Sequence, residues 1–423
     1  MARIEPFRAL RYDPRRVELG NVIAPPYDVV AREERGQLYD RDPHNAVRLE
    51  LTRNVEDEAE TDYSEIREIL EEWQASGVLV RDESPALYVL RQTFEAPGGE
   101  TVCREGLFTA LFLEEYAKRI VRPHERTLAG PKADRLRVMR ATRANLSPIF
   151  MLYEDREDAL APILSGALES PGAVEAEDGS GVVHRLAPLV DRDAIGRVQE
   201  FLAERPLVIA DGHHRYETAL AYRDERRTEA GEVGAAPYDA TLVYLANAFS
   251  PGSLLLPIHR VIREVGAPTS EDWSRKLPGW SSKAVALDSL ATVRECLDAH
   301  LAPLSDQPAF AADDGSGTLR IFWRDEKLDD RLMVRILEDE VMGEVFGLDP
   351  SAIRDGAVSF PKSAERAASD VREGEGTVAL YLNPLQPEDV FRVTAAGEVM
   401  PQKSTFFAPK IPTGLVFRSE ESR

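Results

Sequence analysis

The sequence predicts a two-domain protein of the α/β class, with an α+β arrangement as the alternative. A chain of 423 residues is too long for one ordinary hydrophobic core, which favours two domains. Strand-like and helical patterns alternate along much of the chain, and they alternate again beyond residue 266. We therefore expect a catalytic or anion-binding domain over residues 1–265 and a second α/β domain over residues 266–423.

The composition is that of a globular protein in water. Hydrophobic residues make up 43% of the chain, charged residues 30%, and the formal net charge is −22. An acidic surface repels phosphate at long range, which disfavours general binding to nucleic acids or anionic membranes. Two cysteines are too few for a disulfide framework, and neither a leader nor an apolar run of membrane-spanning length is evident. We expect a cytoplasmic protein.

The first candidate site element is a proline-rich loop that follows the first predicted strand, residues 3–10. The two prolines before Tyr27 make this loop extended and rigid, because each fixes its own backbone and the second also restricts the first. A rigid loop would present Tyr27 and Asp28 at low entropic cost. The alternative is that Asp28 only caps a helix over residues 31–39.

An amphipathic helix and a hairpin come next. Apolar residues between positions 56 and 76 recur on one helical face, and Gly77 supplies a stop. Two strand-like runs, residues 86–94 and 101–113, flank a Pro-Gly-Gly turn, which is typical of a β-hairpin. We predict structural roles for both.

A polar loop after the hairpin, residues 122–127, carries candidate catalytic groups. His124 and Glu125 are neighbours that could act as acid and base. Loops at strand ends often carry chemistry, although each group taken singly is typical of a protein surface. The helix predicted over residues 132–144 and the turn after it add groups for an anion, namely Lys132, Arg135, Arg143 and Asn145.

The least ordinary stretch is Arg205-Pro-Leu-Val-Ile-Ala-Asp-Gly-His-His-Arg-Tyr-Glu-Thr-Ala-Leu220. Its four-residue apolar run, residues 207–210, predicts a buried strand behind a proline. Asp211 is well placed to cap a helix that would end near Gly231. The stretch therefore predicts a strand, a turn and a helix.

The first turn of that helix would hold His213, His214 and Arg215. Exposed N–H groups and the positive end of the helix dipole disfavour cations there and favour anions. The pattern therefore predicts an anionic ligand, a phosphate or a carboxylate, held at the helix end by the basic side chains. Alternatively, Arg215 pairs with neighbouring acids while the histidines are neutral and packed. A metal is less favoured, because adjacent helical positions do not face each other.

The C-terminal stretch, residues 400–417, is apolar, aromatic and stiffened by proline instead of frayed. We expect it to pack back on the body of the protein. Lys403 and the two hydroxyl residues after it could then reach a ligand, or the two following phenylalanines could simply pack. We also expect the loops at residues 25–28, 124–127 and 145–147 to converge on the helix start.

Six short motifs form a recognisable set, namely Ile23-Ala-Pro-Pro-Tyr-Asp-Val29, Pro123-His-Glu-Arg-Thr127, Pro131-Lys-Ala-Asp-Arg135, Asn145-Leu-Ser-Pro148, Asp211-Gly-His-His-Arg-Tyr-Glu-Thr-Ala-Leu220 and Met400-Pro-Gln-Lys-Ser-Thr405. Together they resemble the bacterial family catalogued as domain of unknown function 1015. The resemblance covers nearly the whole chain and its motifs are specific. The name of that family implies no activity.

A fainter resemblance concerns the central motif. An Asp-Gly-x-His-Arg turn that opens a helix is similar to the phosphate-binding segment of the ParB and sulfiredoxin superfamily, and especially to its free-serine kinases. The resemblance implies a strand-turn-helix site for nucleotide phosphates in the N-terminal part. The matching residues are Asp211, Gly212, His214 and Arg215, with His213 at the variable position and Ala219 as the small helix residue.

The same resemblance implies an acidic residue after the first strand that serves the attacking hydroxyl. Its nearest counterparts in this chain are Asp13 and Asp28. The long insertion between the first strand and Asp211 departs from the compact pattern of the superfamily. The identity of the catalytic base therefore stays open between the two aspartates.

These observations favour a nucleotide-dependent kinase that acts on free L-serine or a similar hydroxylated metabolite, with ATP or ADP and Mg²⁺ as cofactors. The alternatives are a phosphoester hydrolase and a non-catalytic nucleotide-binding switch related to ParB. A small phosphate-bearing ligand is the expected partner, whereas a basic DNA-reading element is missing from the sequence. The catalytic candidates are Asp13, Asp28, His124 and Glu125, and the nucleotide-binding candidates are Asp211, Gly212, His213, His214, Arg215, Lys132, Arg135, Asn145 and Lys403.

Overall fold

A computed structural model describes residues 1–53, 63–125, 129–231, 235–287, 292–328, 331–401 and 403–421. The chain divides into two compact units. The first comprises Met1–Leu254, Val393–Val399 and Pro409–Arg423, and the second comprises Leu255–Arg392 and Met400–Ala408. The first unit thus ends earlier than the expected boundary near residue 266 and regains two later segments. The division into a catalytic or anion-binding domain over residues 1–265 and a second α/β domain over residues 266–423 stays a prediction.

Strands and helices alternate along most of the chain. The strands are β1 (Ile4–Glu5), β2 (Leu10–Tyr12), β3 (Leu79–Arg81), β4 (Leu87–Glu95), β5 (Thr101–Phe112), β6 (Val121–Arg122), β7 (Ala144–Asn145), β8 (Ile149–Tyr153), β9 (Val174–Glu177), β10 (Val183–Leu189), β11 (Leu207–Asp211), β12 (Ala240–Asn247), β13 (Leu254–Leu256), β14 (Arg260–Ile262), β15 (Ser281–Ala286), β16 (Ala309–Asp313), β17 (Thr318–Trp323), β18 (Val358–Ser359), β19 (Val378–Tyr381), β20 (Phe406–Ala408) and β21 (Arg418–Ser419). The α-helices are α1 (Leu19–Val22), α2 (Arg32–Arg41), α3 (Val47–Glu50), α4 (Ser64–Ala75), α5 (Ala129–Thr142), α6 (Ala161–Leu168), α7 (Arg192–Ala203), α8 (His213–Ala230), α9 (Ser270–Lys276), α10 (Val293–His300), α11 (Met333–Ile336), α12 (Pro350–Ala352), α13 (Ala364–Arg372) and α14 (Pro387–Ala396).

A mixed sheet forms the centre of the first unit. Its strand order is β6-β11-β8-β12-β5-β4-β10-β9, and β1 pairs with β5 outside this path. β12 runs parallel to β8 and β11 runs parallel to β6, whereas the other neighbours are antiparallel. The predicted hairpin is confirmed as β4 and β5. The predicted α/β class holds in the coarser sense of a mixed sheet with helices.

Apolar side chains of the sheet and of the helices around it make the core of the first unit. Leu107, Leu207 and Val243 of the sheet are buried together with Val198 of α7 and Tyr216 of α8. The alternation of apolar residues along α7 places one face of the helix in this core. Burial on this scale anchors β11 and the first turns of α8, which carry the candidate site.

A second apolar cluster of the first unit includes the chain's C-terminal segment. Phe417 is fully buried and packs near Leu10, Trp73 and Leu146. The N–H of Leu10 donates to the carbonyl of Phe417 at 3.0 Å, and the reverse bond measures 2.9 Å. Residues 409–421 are therefore held inside the first unit by both backbone pairing and burial.

The second unit contains an antiparallel sheet of its own. Its strand order is β15-β17-β16-β19-β14-β18. Val261, Leu319 and Tyr381 of the sheet are buried with Ala368 of α13 and Val293 of α10. No helix in the described parts of the chain is long and apolar enough to cross a membrane.

The predicted strand, turn and helix around Asp211 are confirmed as β11, Gly212 and α8. Leu207 is fully buried in β11, and α8 ends at Ala230, just before Gly231. The expected N-cap role of Asp211 is wrong. Gly212 is the N-cap residue, with a φ of 90°, and Asp211 belongs to the strand. The carboxylate of Asp211 is committed to two cations, as described below.

Candidate functional site

The candidate site surrounds the start of α8. Gly212 precedes the helix in the left-handed conformation, and no side chain accepts a hydrogen bond there as an N-cap. The first helical bond runs from the N–H of Tyr216 to the carbonyl of Gly212 at 3.0 Å. A helix start without a side-chain cap presents N–H groups and a partial positive charge to its surroundings.

The carboxylate of Asp211 joins two cations at this point. One oxygen accepts a hydrogen bond from the guanidinium of Arg215, and the other accepts one from the ammonium group of Lys410. Burial alone would raise the pKa of Asp211, but Lys410 and Arg215 outweigh it and hold the pKa well below its usual range. Asp211 is therefore ionised, and both of its oxygens are in use.

The guanidinium of Arg215 is the central cation of the site. Its side chain is 9% exposed, and it also donates a hydrogen bond to the carbonyl of Pro148. The carboxylate of Asp28 lies 3.9 Å from the same guanidinium. Burial opposes the charge of Arg215, yet Asp211 and Asp28 raise its pKa above the usual value. The Nε atom of Arg215 has no hydrogen-bond partner among the described residues, so one N–H donor of the guanidinium is unused.

Arg215 faces a cavity with an empty volume of about 420 Å³, part of which is open to solvent. The ring of Tyr27 also lines it, with its centroid 5.9 Å from the carbon of the Arg215 guanidinium. Thr218, one turn further along α8, lines the same cavity. Polar groups from β7 and the turn after it, Asn145 and Ser147, complete the wall. The predicted pocket at the start of α8 is present.

A buried ion pair stiffens the wall opposite Arg215. Arg135 of α5 pairs with Glu50 of α3 at 2.8 Å and with Asp134 at 2.5 Å. Its guanidinium also lies 4.1 Å from the ring centroid of Tyr27. Ser147 donates a hydrogen bond of 2.5 Å to Glu50, whose pKa burial raises against the opposing effect of Arg135. Arg135 thus holds the ring of Tyr27 and this wall of the cavity in place. Its guanidinium donors are already bonded to Glu50 and Asp134.

The two buried histidines beside the helix start are neutral, which confirms part of the alternative interpretation of the sequence. Burial lowers the pKa of His213 well below its ordinary value, and His124 lowers it further. Burial also lowers the pKa of His124. The N–H of His124 donates to Nε2 of His213 at 3.2 Å, which requires an unprotonated nitrogen there. Nδ1 of His124 lies 2.5 Å from the carbonyl of Ile209. His213 is therefore uncharged in this turn, and its role in binding a ligand stays a prediction.

Three loops meet at the start of α8, as predicted for their described residues. Asp28 reaches Arg215, Pro148 receives a hydrogen bond from Arg215, and the backbone of His124 bonds to His213. Asp28 sits in a short 3-10 turn, Tyr27–Val29, whereas Ala31 is the N-cap residue of α2, so Asp28 does not cap that helix. Thr127, at the end of the second loop, lies outside the described residues.

The remaining candidates are distributed around and beyond this centre. Lys132 of α5 pairs with Glu217 of α8 at 2.7 Å, and half-buried His214 has a pKa lowered by burial. Glu125 lies 3.8 Å from the ring of His124. Asn145 accepts hydrogen bonds of 3.1 Å from the N–H of Leu242 and from Arg418.

Asp13 is not brought to this centre. Asp13 pairs with Arg15 at 2.8 Å, and this neighbour is the first cause of its pKa of about 2. Lys403 is exposed and belongs to the second unit. Their catalytic and nucleotide-binding roles stay predictions.

Lys410 is the main site residue that the sequence patterns missed. It lies in the C-terminal segment, which we expected to deliver Lys403 instead. The signal was present in the sequence Pro409-Lys-Ile-Pro412, since a lysine between two prolines is held on a stiff backbone. Glu50 was also missed, because nothing local distinguishes it from other acidic residues at the end of a helix.

The fit of a Mg²⁺ ion depends on Asp28 and Asp211. In the portion of the chain that the structure describes, no group of three or more His, Cys, Asp or Glu residues could hold a metal ion. A Mg²⁺ ion that enters with a nucleotide needs only one or two protein carboxylates in addition to phosphates and water. Both oxygens of Asp211 already accept hydrogen bonds from cations, whereas the side chain of Asp28 is partly exposed, so the residues fit this mode of binding through Asp28 and do not form a resident metal centre.

Solved structures show only distant similarity to this chain, and no curated protein matches it. A free serine kinase in complex with ADP is 13% identical, with 73% of this chain and 92% of that chain covered and a TM-score of 0.34. A conserved hypothetical protein from Pyrococcus furiosus is 13% identical, with 73% and 95% covered and a TM-score of 0.33. A C-terminally truncated SbnI from Staphylococcus aureus is 11% identical, with 74% and 87% covered and a TM-score of 0.35.

The family comparison is more decisive. A family model described as Protein of unknown function (DUF1015) matches residues 4–302. The matched span holds the proline-rich loop before Tyr27, the three polar motifs of residues 123–127, 131–135 and 145–148, and the whole of β11 and α8. It therefore contains most of the residues around Arg215. The chain belongs to the DUF1015 family.

Proposed function

We propose that the first unit is a nucleotide-dependent kinase for small hydroxylated metabolites. The observation that carries this proposal is the environment of Arg215. A buried guanidinium with a donor in reserve lies beside a helix start without a side-chain cap, and it faces a cavity of about 420 Å³. Buried donors normally have partners, so an unpartnered donor on a side chain that lines a cavity supports a polar ligand.

Phosphate is the ligand chemistry that suits this environment best. Backbone N–H groups at a helix start and a planar guanidinium both donate to phosphate oxygens. Lys410 adds a second cation on the other side of Asp211. Asp211 neutralises these cations in the absence of ligand and keeps them in place. A nucleotide phosphate would therefore find two cations already positioned, which reduces the cost of binding.

The site also contains a carboxylate for the acceptor. Transfer forms a bond from the acceptor hydroxyl oxygen to the terminal phosphorus, and the bond from that phosphorus to the bridging oxygen breaks. The electron pair of the broken bond leaves with the shortened nucleotide, and the hydroxyl proton passes to a carboxylate. Asp28 suits this role, because its side chain is 39% exposed while both oxygens of Asp211 are engaged.

Product analysis tests the proposal directly. The protein is incubated with ATP or ADP, Mg²⁺ and single acceptors, and phosphorus NMR follows the products. L-serine is the first acceptor to test, because the Asp211 to Ala219 segment is similar to that of the free-serine kinases. A phosphorylated acceptor supports the kinase. Free phosphate alone indicates a hydrolase, and tight nucleotide binding without any product indicates a switch protein.

A further inference from the structure

A second, larger cavity of the first unit lies beside the candidate site. Its empty volume is about 650 Å³, part of which is open to solvent, and Lys410 lines it. Four prolines, two from the loop before Tyr27 and two from the C-terminal segment, form much of its wall. Proline fixes the backbone, so these walls are largely preformed.

One face of α2 closes the cavity. Glu34, Leu38 and Arg41 stand at positions i, i+4 and i+7 of the helix, so they share a face, and all three line the cavity. Leu38 and Ile23 supply an apolar floor. The side chain of Arg41 makes no hydrogen bond or ion pair with any residue in the described ranges. The helix therefore offers the cavity one unused cation.

The other charged groups of the cavity already have partners. Asp178 accepts hydrogen bonds from the hydroxyl of Ser180 at 2.6 Å and lies 2.7 Å from Nε2 of His184. The carboxylate of Glu34 accepts a bond of 3.4 Å from the N–H of Ala31 at the helix start. The unused group is therefore positive, which favours an anionic ligand over a cationic one.

Lys410 connects this cavity with the site at the start of α8. Lys410 lines the cavity, and its ammonium group binds Asp211, which also binds Arg215. The backbone around Lys410 is anchored on both sides. Gln92 donates to the carbonyl of Lys410 at 3.2 Å, and Ala24 pairs with Thr413 in an antiparallel bridge. A group bound in the larger cavity thus lies next to the cations proposed for the phosphates.

We propose that the 650 Å³ cavity receives the phosphoryl acceptor, a small hydroxylated carboxylate whose carboxylate group pairs with Arg41. This inference rests on the kinase function proposed above and adds the chemical class of its acceptor. The acceptor hydroxyl points towards Lys410, and its oxygen forms the new bond to the terminal phosphorus. The bridging oxygen leaves with the nucleotide and keeps the electron pair, and Asp28 takes the hydroxyl proton.

Gly179 allows a second test of the position of Arg41. A Cβ atom at this position would lie 3.0 Å from both terminal nitrogens of Arg41, and the backbone of Gly179 does not have a positive φ. Alanine is therefore tolerated by the backbone but displaces the guanidinium. Gly179→Ala keeps every charge of the cavity and moves only the group that is proposed to bind the acceptor.

The test compares hydroxylated acceptors with and without a carboxylate group. Glycolate, lactate, glycerate and L-serine are the carboxylate probes, and glycolamide, lactamide and glycerol are the neutral ones. Arg41→Gln should raise the KM for carboxylate acceptors about tenfold to a hundredfold, with kcat and ADP affinity nearly unchanged. Gly179→Ala should raise the same KM by a smaller factor. Glu34→Gln, on the same helix face, is the control and should leave the KM for carboxylates unchanged or lower.

The outcomes separate this inference from the proposed function. If the protein phosphorylates neutral and charged acceptors alike, or if Arg41→Gln leaves the KM unchanged, the acceptor assignment is wrong and the kinase stands. If nothing is phosphorylated, the kinase proposal fails, and with it the role of the ligand as an acceptor. Saturation-transfer NMR with the same probes then decides the ligand class. Carboxylate binding that Arg41→Gln abolishes supports the cavity as a carboxylate site, and absence of binding overturns it.

Discussion

Individual side chains at the start of α8 show how an acidic protein can hold an anion site. Asp211 pairs with Arg215 and Lys410, and these two cations outweigh the effect of burial on its pKa. The histidines next to Arg215 stay neutral because burial lowers their pKa. The positive charge that the sequence distributes over three neighbours is thus concentrated on one arginine and on a distant lysine.

The first prediction at this scale concerns the guanidinium of Arg215. Arg215→Lys keeps the charge but loses the planar fork, so we expect ADP and ATP to bind about tenfold more weakly, and Arg215→Ala about tenfold to a hundredfold more weakly. Calorimetric titration measures the affinities beside thermal melts. Arg223→Lys is the matched control, since Arg223 is a buried, ion-paired arginine of the same helix. Unchanged affinity in a folded Arg215→Lys protein would remove the phosphate site.

A second prediction concerns the pH dependence of stability. Buried His213 is neutral in the folded protein because burial depresses its pKa, whereas the unfolded chain protonates it near pH 6.5. Acid therefore favours the unfolded state, and lowering the pH from about 7 to about 5.5 should cost on the order of 1 kcal/mol of unfolding free energy through this group. Urea denaturation at both pH values measures it. On the same acidification, His213→Gln should lose less unfolding free energy than the parent, by about that amount. Since His214 is only half buried, the loss in His214→Gln should be closer to that of the parent. An equal loss in all three proteins would contradict the prediction.

At the scale of elements, the junction of β11 and α8 explains why the site forms there. The strand is fixed by burial, and Gly212 turns the chain into the helix with a φ of 90°. A Cβ at Gly212 would lie 3.0 Å from the guanidinium of Arg215. Two reasons therefore favour glycine at this position, namely the backbone conformation and the space that Arg215 occupies.

The third prediction follows from this junction. Gly212→Ala should lower the unfolding free energy by about 1–3 kcal/mol and weaken nucleotide binding, because the backbone is strained and Arg215 is displaced. Gly196→Ala in the middle of α7 is the matched control, since its Cβ would meet no atom within 4 Å. That variant should be more stable by up to about 1 kcal/mol and bind normally. Thermal melts and calorimetry measure both. Wild-type affinity in Gly212→Ala would contradict the role of the turn.

For the molecule as a whole, the C-terminal segment matters most to the first unit. Residues 409–421 contribute Lys410 to the site and bury Leu415, Val416 and Phe417, each 2% exposed or less. They also pair with β7 through β21 and with the loop before Tyr27 through Thr413. Stability and site chemistry in the first unit therefore depend on a segment far away in the sequence.

The fourth prediction separates these two contributions. Deletion of residues 409–423 should unfold the first unit or make it aggregate, because burial of each large apolar side chain stabilises by about 1.5–3 kcal/mol against a total of about 5–15 kcal/mol. Lys410→Met in the full chain should stay folded while nucleotide binding weakens, although the melting temperature should fall because Asp211 loses one partner. Circular dichroism melts and calorimetry measure both variants. A stable truncated protein that binds ADP normally would show that the segment is dispensable.

Local patterns in the sequence determined the strand β11, the turn at Gly212, the helix α8 and the β4–β5 hairpin, because neighbouring residues settle burial periodicity and turn chemistry. They also indicated where polar loops would gather. Only the tertiary structure decided which charges meet. Lys410 and Asp211 are 199 residues apart, and Arg135 and Glu50 are 85 apart. Such pairs depend on the packing of the whole unit, and packing also removes the charge of the histidines by desolvation, which no local pattern records.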